Sequence, residues 1–224
     1  MTCKLFISLL LITVATAAGF SQAPTAAPTV EVKKANERPA EKVAAAAEPF
    51  DKADVKTMAS KCVTFDTDAG VIEMEMFPEV APENVRNFLN LTAIGAFDTT
   101  AFTRVVPGFV IQGGNLYSRE GKISYAMGMR AHRVTPDEPN KVLHERGILS
   151  MARGDEPNTA TTNFFILVGS GSHLDGKFSA FGRVTKGMEV ADAINKAPSS
   201  EEKPAKPVRI RKATITTCTP TNNP

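Results

Sequence analysis

The sequence predicts a mainly β domain, either a closed antiparallel barrel or a sandwich, carrying two helices. Short runs of alternating apolar and polar residues recur from about residue 61 onward, separated by clusters of Gly, Asn, Asp and Pro. Two stretches place apolar residues at helical spacing. Closure of the sheet would also remove the unpaired edges that so many strands would otherwise present to solvent.

The first element is "VTFDTDAGVIEMEMF", in which Val63 and Phe65 and then Val71, Ile72, Met74 and Met76 alternate about a turn at Asp68-Ala69-Gly70. That pattern is a hairpin. In "EVAPENVRNFLNLTAIGAF" Pro82 suits a first helical turn, Glu83 faces the positive end of the dipole, and Val85, Phe88, Leu89 and Thr92 recur at helical spacing before a stop at Gly95. The triplet Asn90-Leu91-Thr92 is a formal glycosylation sequon, but it lies inside this amphipathic helix and reads as an accident. Strand-like runs follow over Ala101–Val106, Phe109–Gln112, Gly147–Ala152, Asn163–Val168 and Ala180–Val184. "GMEVADAINKAP" then makes a second helix, with Val190 and Ile194 one turn apart and Pro198 beyond its end, and "VRIRKATITTC" alternates as a terminal strand. The long loop between Asn115 and Gly147 carries charge and no readable chemistry.

Before the domain, residues 1–18 have a cation at Lys4, an apolar run from Leu5 to Val14 and small residues at Ala15-Thr16-Ala17, the layout of a cleaved export signal. The apolar part is shorter than the ~20 residues a membrane span needs, so no stable span is expected after cleavage. Residues 19–60 are rich in Ala, Pro and charge and bury too little to offset the entropy of ordering, so a flexible linker is expected there. The domain is expected over 61–219 and a disordered tail over 220–224. Export to a periplasm or out of the cell is the implied destination.

Composition excludes several classes. The 26 basic residues fall to 25, against 24 acidic ones, once Lys4 leaves, and no segment interleaves cations with aromatics, so nucleic acid is not an expected partner. His132, His144 and His173 share no metal-ligand spacing, and no metal or cofactor is expected. No serine or cysteine has a base partner recognisable in the sequence, and "GSGSH" lacks the lysine of a phosphate-binding loop. Once Cys3 leaves with the signal, Cys62 and Cys218 remain on the first and last strands. They form a candidate disulfide in an oxidising compartment, or else two unrelated small core residues.

What remains is a permanent cation, Arg104, in the apolar run "FTRVVPGFVIQGGN". Taken alone it reads as a rim ion pair with Glu145 or Asp155. Together with "GILSMARG", "TTNFFILVG" and "HLDGKFSAFGRV", however, this run resembles the signatures of the cyclophilin family of peptidyl-prolyl cis-trans isomerases, in the family's order and from about Cys62 to Cys218.

The resemblance implies a closed eight-stranded antiparallel β-barrel capped by two helices, no cofactor, and proline-containing polypeptides as partners. It implies that Arg104 is the catalytic arginine, supported by Gln112, with Phe109 and Val110 as the floor of a proline pocket. Ala152 and Arg153 would bind the peptide through their main chain, with Asn163 beside them. Phe165 and Leu174 would be pocket walls, and Phe178 stands where many members have histidine. Thr103, Val110, Asn163 and His173 depart from residues common in the family. His173 replaces a tryptophan that helps bind cyclosporin in some members, so weak affinity for that drug is expected. The alternative function is a proline-binding chaperone module of the same fold with little turnover; a small-molecule carrier is disfavoured because the interior side chains suffice to fill a small barrel.

Overall fold

The computed structural model describes residues 47–218. The expected signal, most of the expected linker and the tail lie outside them. Ten strands and four α-helices follow in order: α1 (Val55–Ala59), β1 (Lys61–Thr67), β2 (Gly70–Met76), α2 (Pro82–Ala93), β3 (Arg104–Val106), β4 (Val110–Gly113), α3 (Tyr125–Ala131), β5 (Ile148–Met151), β6 (Phe164–Leu167), β7 (Ala180–Lys186), α4 (Met188–Asn195), β8 (Ser199–Ser200), β9 (Lys203–Pro204) and β10 (Ile210–Thr217).

Eight strands form one antiparallel sheet in the order β10-β1-β2-β7-β5-β6-β4-β3, and β8 pairs with β9 apart from it. The expected barrel is therefore a curled sheet whose ladder does not close. An isolated bridge, Ala101 to Arg209, joins the segments just outside β3 and β10, and Phe102 N–H donates to Val208 C=O over 2.9 Å. β3 is only three residues long, which leaves too few backbone groups for a continuous closing ladder.

The hairpin forms as the alternation requires, with Thr67 opposite Gly70. Gly70 has φ of 131°, and a Cβ there would come within 2.8 Å of Val190 on α4, so glycine permits both the turn and the approach of that helix. The inward residues Val63, Phe65, Ile72 and Met74 are fully buried. Facing them, α2 buries Val85, Phe88, Leu89 and Thr92, the stripe its spacing predicts. Phe65, Phe88, Phe97 and Phe164 lie with ring centroids 5.1–6.0 Å apart, tilted or edge to face, the arrangement the ring quadrupole favours.

Two features differ from the sequence-based expectation, and a third, the disulfide, is one of the two alternatives it left open. The folded unit takes in part of the expected linker, because residues from Glu48 onward dock on α2. Arg86 Nη1 donates to the carbonyls of Phe50 and Ala53 (2.6 and 2.7 Å), and Asn90 bonds both Phe50 N–H and Asp51. Asn90 is buried by these bonds, so the sequon is inaccessible in the folded chain. Next, the long loop contains α3, started by Ser124, whose Oγ accepts from Met127 N–H. From the same loop Glu138 caps α2, accepting from the N–H groups of Glu83 (3.0 Å) and Asn84 (2.8 Å), which that helix could not satisfy itself. Last, Cys62 and Cys218 are disulfide-bonded with Cα atoms 4.9 Å apart, as adjacency of β1 and β10 allows.

Candidate active site

Successive strand residues point to opposite faces, so β6 serves two environments at once. Phe164 and Ile166 enter the main core, while Phe165 and Leu167 join a second apolar cluster with Val110 on the other face. Register then lines up a row across four strands: Arg104 opposite Gln112, Gln112 opposite Phe165, and Phe165 opposite Ser150. A cation, an amide and an aromatic wall thus share one face of the sheet.

That face carries a hollow of about 140 Å3. Arg104 and Gln112 form its polar side; Phe109, Val110, Phe165 and Leu174 form an apolar side; Ala152, Arg153 and Phe178 complete it. The close packing of β4 on the start of β6 depends on Gly114, at φ of 87°, where a Cβ would strike Thr162 C=O and Asn163 Cα.

Arg104 donates through Nε to Glu202 Oε2 (2.6 Å) and through Nη1 to Gln112 Oε1 (3.2 Å). The guanidinium's ionic partner is thus Glu202, on the β8–β9 turn; Glu145 lines a separate groove, and Asp155 offers its carbonyl to Arg153. The Arg104 side chain is 44% exposed. Arg153 is tightly held: its guanidinium lies 4.6 Å from the centroid of Phe178, pairs with Asp137 at 3.1 Å and bonds the carbonyls of Gly154 and Asp155. Phe178 in turn packs edge-on against Phe165, 6.2 Å between centroids.

Two expected site residues do not line the hollow. Asn163 offers its carbonyl to Ala152 N–H (3.0 Å), which commits that main-chain donor within the protein. His173 is exposed and packs its ring on Phe109, 5.2 Å between centroids.

The structure also supplies a constellation that the sequence concealed. Ser150 Oγ lies 3.1 Å from His144 Nε2, and His144 Nδ1 lies 3.0 Å from Asp175 Oδ1. The order resembles that of a nucleophilic triad, yet Ser150 is fully buried and cannot meet a substrate. The Ser150 hydroxyl donates to Ser179 C=O (2.9 Å), which Met151 N–H also serves (3.1 Å), so its one proton is committed inside the protein. Burial depresses the His144 pKa below its ordinary value, against partial support from Asp175, and so favours the neutral ring. Its ring stacks beneath Phe165 at 6.5 Å, so the row supports the pocket wall.

The comparisons with known proteins agree with this geometry. Residues 62–215 match the model of the family described as cyclophilin type peptidyl-prolyl cis-trans isomerase. The chain is 36% identical over 146 residues to peptidyl-prolyl cis-trans isomerase CYP23 of Arabidopsis thaliana, covering 65% of each chain. To peptidyl-prolyl cis-trans isomerase A of Dickeya dadantii it is 35% identical over 167 residues, covering 68% of this chain and 83% of that one. Among solved structures, a Cryptosporidium parvum cyclophilin type isomerase superposes with a TM-score of 0.62 at 31% identity, over 71% of this chain and 99% of that one. A second structure of that protein, determined in the presence of the dipeptide Ala-Pro, gives 0.61 at 31% identity, over 70% and 99%.

Proposed function

This chain belongs to the cyclophilin-type peptidyl-prolyl cis-trans isomerases, and we propose that it performs the family's reaction, rotation about X–Pro bonds, in the hollow between Arg104 and Phe165. One observation carries the assignment of residues: a cation and an aromatic wall lie in register on one face, with a ring-sized apolar hollow between them.

The uncatalysed barrier of about 18–20 kcal/mol comes from amide resonance, which withdraws the lone pair of the proline nitrogen. At the twisted transition state that resonance is lost, and the nitrogen becomes a hydrogen-bond acceptor. Arg104 donates to it there. Because the planar imide nitrogen accepts poorly, the bond favours the transition state over the ground state, which is the condition for acceleration. Each ~1.4 kcal/mol so gained is about tenfold in rate.

Phe109, Val110, Phe165 and Leu174 hold the prolyl ring. Arg104 is half exposed, so it is the bound peptide that shields the guanidinium and strengthens its bond by lowering the local dielectric. Gln112 steadies the guanidinium. The Arg153 N–H, which has no partner among the described residues, holds the peptide backbone on the side that stays still.

An exported location is part of the same proposal. It rests on the N-terminal signal pattern and is supported by the Cys62–Cys218 bond, since structural disulfides persist in oxidising compartments. Proline-containing stretches of exported proteins are the proposed substrates. Cyclosporin is proposed to bind weakly, because the imidazole of His173 gives less apolar surface than a tryptophan.

A protease-coupled assay on a short Ala-Pro peptide tests the reading. Arg104→Ala is expected to lose about 10²-fold in kcat/KM with its circular dichroism unchanged. Full activity in that variant removes Arg104 from the mechanism. Undetectable turnover in the wild type, with peptide binding retained, leaves a proline-binding module instead.

A further inference from the structure

We propose that Glu202 is a positioning residue for Arg104, an inference that rests on the catalytic role given to that arginine above. After α4 the chain makes a two-residue turn, Glu201-Glu202, between Ser200 and Lys203. Both glutamates have positive φ, 49° and 63°. Turns of this kind prefer Asn-Gly because a side chain is strained in the left-handed region. Non-glycine residues persist there where their surroundings hold them, and such positions cluster at functional sites.

What holds Glu202 is β3 itself. The Glu202 carbonyl accepts from Val105 N–H (2.7 Å), and its carboxylate accepts from Arg104 Nε (2.6 Å). Main chain and side chain of one residue thus grip two successive residues of an edge strand. The turn also covers a donor on that edge that no neighbouring strand would satisfy.

The consequence for the guanidinium is geometric. Gln112 takes Nη1, and Glu202 takes Nε, so the planar group is fixed by two anchors on different elements. Nη2 has no hydrogen-bond partner among the described residues and stays available to a proline nitrogen. A half-exposed arginine on a single anchor keeps much of its rotamer freedom, and a small misplacement of a donor is costly in rate. The negative charge works the other way, since an anion on Nε weakens the remaining donors. For a pair this exposed the Coulombic effect is screened, so position outweighs charge.

The test measures kcat and KM on an Ala-Pro peptide by NMR exchange, with unfolding midpoints beside them, for Glu202→Ala, Glu202→Gln, Glu201→Ala and Arg104→Ala. Glu202→Ala is expected to lower kcat about tenfold with KM within about twofold. Glu202→Gln, which keeps an oxygen for Nε, is expected to recover to within about threefold of wild type. Glu201→Ala alters the same strained turn without touching Arg104 and should match wild type. Wild-type kcat in Glu202→Ala beside an inactive Arg104→Ala overturns this inference and leaves the mechanism standing. So does a Gln variant as weak as the Ala variant, or an equal loss in Glu201→Ala. Full activity in Arg104→Ala sinks the mechanism first and this inference with it.

Discussion

Arg104 and Gln112 face each other in register across β3 and β4, and the arginine donates through Nη1 to the glutamine's Oε1 over 3.2 Å. Side-chain direction in a strand makes this pair inevitable once the two strands align. Its consequence is kinetic. Gln112→Ala removes one anchor of the guanidinium while leaving the apolar wall intact, so kcat is expected to fall about tenfold with a smaller change in KM. Steady-state kinetics on an Ala-Pro peptide measure both, and an unchanged kcat would show that the amide is dispensable.

The disulfide joins β1 to the residue that follows β10 across 156 residues of sequence, and no residue lining the hollow lies on either strand. Stability and turnover should therefore separate. Cys62→Ser with Cys218→Ser is expected to lower the unfolding free energy by about 2–4 kcal/mol in denaturant titration. The rate per folded molecule at 25 °C should stay at the wild-type value.

His144 sets the expected pH dependence of stability. Burial of the ring is the main cause of its lowered pKa, so the native ring resists a proton that the unfolded chain takes up near 6.5. Stability is therefore fully present above that value and is lost as pH falls through the depressed native pKa. Asp175 adds a later step. Its carboxylate is held below 3.8, first by the His144 backbone N–H, so its contribution is present above that value and is lost on further acidification. Unfolding midpoints should be level from about pH 7 to 8 and fall below about 6.5. His144→Gln should lack the first step; an identical profile would assign the acid sensitivity elsewhere. Turnover per folded molecule should be flat across neutral pH, because the mechanism transfers no proton.

Glu48 and Arg130 form a pair with side chains 11% and 7% exposed, joining the segment before α1 to α3. Arg130 continues to Asn87 on α2 (2.6 Å). Removing one partner leaves a buried charge without its counterion. Glu48→Ala is expected to cost about 3 kcal/mol in a urea titration. A loss below about 0.5 kcal/mol would mean that Arg133 and solvent compensate.

The sequence by itself determined most elements and most of the hollow. Alternation about Asp68-Ala69-Gly70 set the hairpin, and the spacing of Val85, Phe88, Leu89 and Thr92 set the inward face of α2, because strand and helix periods are local properties of the backbone. Nine of the expected site residues line one hollow, since the motif residues of β3 to β6 meet as soon as the strands align. Tertiary structure alone decided the rest. Glu202 lies 98 residues from Arg104 in sequence, and Asp175 lies 31 from His144, so neither pairing leaves a mark in any local pattern. The docking of Glu48 to Ala53, in a stretch too polar to order itself, likewise depends on buried partners supplied by α2 and α3. Composition predicts what a segment can bury on its own, whereas only the folded surface shows what is waiting to receive it.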